Sequence, residues 1–139
     1  MIELSTLKTR LEETGYTVLF SKEKDIDLQE PSELPIIYIG YNNIDSVKTA
    51  NAPLSLDIYS QNGENLVQSF TIQLLCLQDN FPIVWKAIYR KLIGWNPVST
   101  EAIHTSFTYV QGGVMGLANS KFHWVDIWRV GFPTNSILT

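Results

Sequence analysis

Apolar residues recur along this chain with two periods, and each change of period marks a new element. Between Asp79 and Pro97, the residues Phe81, Val84, Trp85, Ile88 and Leu92 fall on one helical stripe about 100° wide, while Lys86 and Arg90 point away from it. Asp79 or Asn80 can cap this helix, Pro82 suits its first turn and Gly94 suits its end. Lys86, Arg90 and Lys91 crowd its last turns, where the helix dipole favours cations. Trp95-Asn96-Pro97 then stops it. A shorter helix is predicted over residues 3–14, because Leu4, Leu7 and Leu11 share a face and Gly15 can close it.

The rest of the apolar pattern has the period of strands. Thr17 to Phe20 is short, and Ile36 to Tyr41 is compact and rich in β-branched and aromatic residues. Leu54, Leu56 and Ile58 alternate with Ser55, Asp57 and Tyr59, as in a half-buried strand. Asn62-Gly63 then signals a hairpin. The returning strand puts Gln68, Phe70, Ile72, Leu74 and Cys76 on one face and Ser69, Thr71 and Gln73 on the other. Ile103 to Val110 reads as a strand. Lys121 to Phe132 places Phe122, Trp124 and Trp128 on one face, with His123, Val125, Ile127 and Arg129 opposite; that second face is largely apolar too, so cover is expected on both sides. Residues 42–53 read as irregular, Gly112-Gly113 and Gly116 as a flexible hairpin tip, and residues 133–139 as a loose tail. Strands joined by short turns imply an α+β fold: a mostly antiparallel β-sheet with two helices packed on one face.

Composition narrows the function classes. At 139 residues the chain fits one domain, spanning 1–139, with enough length for a proper core. No run approaches the ~20 apolar residues that span a bilayer, and Met1-Ile2-Glu3-Leu4 lacks the pattern of a secretory signal. A single cysteine, Cys76, excludes an internal disulfide, and its apolar neighbours suggest an inert thiol and assembly in a reducing cytoplasm. Charged residues make up only 17%, against roughly 25% in typical domains, and aromatics reach 12%. Such a chain is expected to hide surface against other subunits. A net charge of −4 argues against a groove built to neutralise phosphates.

Catalytic signals are thin. His104 and His123 lie on separate predicted strands without a Cys or His at metal-ligand spacing. The glycines at 112–116 are followed by a strand and no Lys-Ser/Thr, which a phosphate loop would require. Glu23, Asp25 and Asp27 alternate as if to aim three carboxylates at calcium, but they lack the glycine and terminal glutamate of a helical calcium loop and read as a solvated loop. Hence no catalytic, cofactor-binding or metal-ligating residue is assigned. The candidates for assembly contacts are Glu23, Asp25 and Asp27 in the long charged segment, and Gly112, Gly113 and Met115 at the expected tip. Trp95 and Trp128 join them, with core packing as the other reading of both.

Four segments occur in a suggestive order: Leu34-Pro35-Ile36-Ile37-Tyr38-Ile39-Gly40-Tyr41, Phe70-Thr71-Ile72-Gln73-Leu74, Leu92-Ile93-Gly94-Trp95-Asn96-Pro97 and Trp124-Val125-Asp126-Ile127-Trp128. Together they resemble the tail terminator, or tail completion, minor tail proteins of long-tailed bacteriophages, both the lambda-terminator-like and the Mu-type proteins. The resemblance implies a homohexameric ring at the head-proximal end of the tail tube, in the virion. It would stop tube growth and meet the neck or connector protein, and the sheath protein where the tail contracts. DNA would pass the lumen without specific binding. The resemblance implies no catalytic residues and no cofactor. The alternatives are another neck or head-completion protein, or a small α+β ligand-binding protein or enzyme with a pocket of convergent polar groups.

Overall fold

The computed structural model describes residues 2–21, 34–47, 65–97 and 106–133. Helix α1 (Leu4–Glu12) leads into β1 (Thr17–Phe20), followed by β2 (Ile36–Val47) and β3 (Asn65–Leu77). A 3-10 turn (Gln78–Asn80) enters α2 (Phe81–Leu92), and β4 (Thr108–Ala118) and β5 (Lys121–Pro133) complete the sequence of elements. The strands form one sheet in the order β1-β2-β3-β5-β4, in which only β1 and β2 run parallel. This is the expected α+β class.

Alternation along β3 decides which side the helices cover. Gln68, Phe70, Ile72, Leu74 and Cys76 are all buried and face both helices. Leu7 and Leu11 from α1 and Val84, Ile88 and Leu92 from α2 close on them. Phe81 and Trp85 complete the α2 stripe as half-buried flanks. Arg10 clasps the two helices: its Nε donates to the Lys91 carbonyl at 2.9 Å, and its guanidinium lies 5.3 Å from the Trp95 ring. Gly94, at φ +72, turns the chain out of α2. Its N–H then donates to the Phe107 carbonyl, and the Phe107 N–H donates to the Trp95 carbonyl. The Gly-Trp corner therefore docks the exit of α2 onto the approach to β4. Burial pushes the Cys76 thiol up to about 11, in keeping with an inert group.

Several expectations are corrected. Neither Asp79 nor Asn80 caps α2 through its side chain; the 3-10 turn precedes it instead, with the Gln78 N–H donating to the Ser120 carbonyl. β2 continues past Tyr41 to Val47 through the residues expected to be irregular. Pairing with β3 overrides the weak strand preference of Asn42, Asn43 and Asp45, with a bulge near Asn42 whose Nδ2 donates to Ser69 Oγ. Residues 54–59 and Asn62-Gly63 lie outside the described residues. Both sides of β3 are taken, by β2 and β5, each antiparallel to it.

The largest correction concerns the glycines. Gly112, Gly113 and Gly116 lie inside β4 and pair with β5. The reversal comes later, at Asn119 and Ser120, with φ 52 and 65. Two consecutive positive φ values in a two-residue loop give the primed turn whose twist matches a hairpin. The second face of β5 is covered only in part: His123 is buried, Val125 and Ile127 are half-buried and Arg129 is exposed.

Candidate functional site

Among the described residues β4 is the outermost strand on its side of the sheet and pairs through β5 alone. Its eleven residues, Thr108–Ala118, include no charged side chain and no proline. Val110, Val114, Met115 and Leu117 stand 46%, 58%, 62% and 54% exposed. Edge strands are normally blunted by lysines, prolines or shortness. β4 has only bulges, marked by register shifts at Val110 and Met115. On the helix-free face, Gln111, Gly113, Val125 and Ile127 line a depression that continues past Ser69 and Asn43. Among the described residues its charged lining is Asp45 and Arg129.

Behind β4, on the helix side, sits a buried carboxylate. Asp126 on β5 is 2% exposed. Its Oδ1 accepts from Trp124 Nε1 at 2.7 Å and from the Tyr109 hydroxyl at 3.1 Å, and its Oδ2 accepts from Trp85 Nε1 at 2.8 Å. Burial raises this carboxyl above the usual range, and the three donors pull it back in part. The Tyr109 hydroxyl is pushed up to about 12, first by burial and then by Asp126. Ring contacts close the cluster: Trp85 stacks on Tyr89 at 5.1 Å, and Tyr109 meets Trp128 edge-on at 5.3 Å. The indoles can only donate, so a carboxylate is the acceptor that serves them all. The constellation joins α2, β4 and β5, and among the described residues its bonds are those of three donors to one carboxylate, which hold the elements in place.

Gly112 is required by this cluster. It lies opposite Asp126 in the ladder. A Cβ there would run into Asp126 Oδ1 and the Tyr109 hydroxyl, and would come 2.9 Å from Trp124 Cζ2. Gly113, next to it, would meet nothing within 4 Å.

The assembly candidates are thus dispersed. Gly112, Gly113 and Met115 share β4, though as strand residues and not as a tip. Trp128 is corrected: it is fully buried beneath Tyr89 and Tyr109 and offers no surface. Trp95 is half-buried against Phe107 at 5.2 Å. Glu23, Asp25 and Asp27 lie outside the described residues, as does His104. His123 Nε2 is 2.8 Å from Gln73 Oε1. Among the described residues no three His, Cys, Asp or Glu side chains could hold a metal ion, and no helix is long and apolar enough to cross a membrane.

Two buried polar residues have roles that the sequence alone does not assign. One is Asp126. The other is Gln68, fully buried, whose carbonyl accepts from the Ile2 N–H and whose amide donates to the Ile2 carbonyl, both at 2.9 Å. Each stands alone on an apolar strand face, which was the available signal.

No protein-family model matches the sequence, and no curated protein matches it. Among solved structures, the chain is similar to a chain in the virion of a native gene transfer agent particle, with a TM-score of 0.43 and 11% identity, over 87% of this chain and 82% of that one.

Proposed function

We propose that the chain is a structural subunit of a phage-like virion, a tail-terminator-type protein that assembles into a ring on the end of the tail tube. The observation that carries this reading is β4: an uncharged, eleven-residue edge strand with four large apolar side chains in the open. A permanently monomeric protein with such an edge is prone to aggregate, whereas a ring subunit covers it. The ordered resemblance supports the same reading, since its four segments form the start of β2, the middle of β3, the exit of α2 and the middle of β5. The hexameric number, the neck and sheath partners, the location in the virion and the absence of catalysis come from the resemblance and belong to this proposal. An enzymatic or ligand-binding role has less support, because the polar groups that converge most closely, those around Asp126, already satisfy one another.

The test is electron microscopy of the purified protein mixed with tail tubes of the virus or particle whose genome encodes it. Caps at one end of each tube are expected. Tubes that stay bare at both ends, or are coated along their length, would overturn the proposal.

A further inference from the structure

We propose that the partner of β4 is the opposite edge of the same sheet in the next copy of this chain, so that neighbours meet β4 to β1. This rests on the ring reading above. A closed ring repeats one heterologous interface, so each subunit must present two different, complementary patches. Apart from Leu77 at the end of the central strand β3, the exposed large apolar side chains of the sheet form two groups that meet that requirement. One group is Val110, Val114, Met115 and Leu117 on β4. The other is Leu19 and Phe20 on β1, with Tyr41 and Ile44 beside them on β2. In the strand order these groups occupy opposite ends, four strand spacings or about 19 Å apart. A two-fold dimer would need only one patch; two patches at opposite edges suit head-to-tail repetition.

Charge points the same way. Thr17-Val18-Leu19-Phe20 carries no charge, and neither does Thr108–Ala118. Joining the two strands brings together no charged residue of either strand, and the cation beside β1, Lys8, already rests its ammonium 5.2 Å from the Phe20 ring centre. Each edge also has main-chain groups that no strand among the described residues takes up on its outer side. The bulges at Val110 and Met115 interrupt β4, which leaves Gln111–Val114 as the stretch best able to pair. That is four residues, the length of β1.

Sedimentation velocity and native mass spectrometry on the full chain test this with two variants. One carries Val114→Lys and Leu117→Lys on β4; the other carries Leu19→Lys and Phe20→Lys on β1. Phe20 also receives the Lys8 ammonium 5.2 Å from its ring centre, so Thr17→Lys, on an exposed β1 position, replaces the second variant if its circular dichroism departs from the parent's. Each variant alone is expected to be monomeric. Mixed in equal amounts, they are expected to give a one-to-one pair and nothing larger, because only one intact β4 edge then meets one intact β1 edge. Variants that still form the parental oligomer would overturn this interface and leave the ring reading standing. A β1 variant that dimerises by itself would replace it with β4-to-β4 pairing. A parent that stays monomeric at every concentration would remove both.

Discussion

Gly112 and Gly113 should respond in opposite directions to the same substitution. Neither has a positive φ, so alanine strains the backbone at neither. In Gly113→Ala the new methyl meets nothing within 4 Å, and the loss of unfolded-state freedom should leave stability unchanged or raise it by up to about 1 kcal/mol. In Gly112→Ala the methyl is placed on Asp126 Oδ1 and the Tyr109 hydroxyl. These atoms cannot swing aside freely, because they are bonded to each other and Asp126 also holds Trp124 and Trp85. Overpacking costs about 1–3 kcal/mol, and a displaced bond to a charged acceptor adds about 1.5–3 kcal/mol. After the roughly 0.5–1 kcal/mol gained from replacing glycine, the net loss is about 1.5–5.5 kcal/mol. At about 2–4 °C per kcal/mol for a chain of this size, Tm should fall by about 3–22 °C, while Gly113→Ala matches or exceeds the parent. Calorimetry or urea unfolding of the two variants reads this directly. Equal stability in both would refute the packing at Gly112, and with it the placement of these glycines in a strand.

Two further outcomes follow from the buried polar groups. Because the Asp126 carboxyl is raised in the folded chain, its stabilising contribution is fully present below its unfolded value, near 4, and is lost as pH rises through the folded value. The stability of the parent relative to Asp126→Asn should therefore shrink from pH 4 toward neutrality in urea titrations, and a gap that widens would reverse the assignment. Gln68→Ala removes both bonds to Ile2 and should cost about 2–3 kcal/mol, with faster amide exchange at the start of the chain; unchanged exchange there would mean that Gln68 does not anchor it.

The parts of the fold visible in the sequence were those where side-chain pattern and backbone preference agree. The α2 stripe from Phe81 to Leu92, the faces of β3 and the extent of β5 all appear as read. The parts that were misread are those where tertiary contacts override local preference. Asn42, Asn43 and Asp45 are poor strand formers, held in β2 by pairing with β3. Gly112 looks like loop punctuation, yet it is a glycine because Asp126 and Tyr109 occupy the space a side chain would need. The positive-φ turn at Asn119-Ser120 lacked the glycine that usually announces it. For the candidate site, low charge and abundant aromatics suggest hidden surface, but Trp128 is core, and the glycine-rich stretch from Gly112, which reads as a hairpin tip, carries Val114, Met115 and Leu117 as exposed strand residues.

Native mass spectrometry of the purified chain tests the central claim most directly, because head-to-tail contact between two opposite edges gives a discrete mass when the ring closes and a growing one when it does not. The account predicts one discrete closed oligomer, a hexamer by the family resemblance, whose mass does not grow with concentration once formed. A chain that remains monomeric throughout, or adds copies without limit, would contradict it.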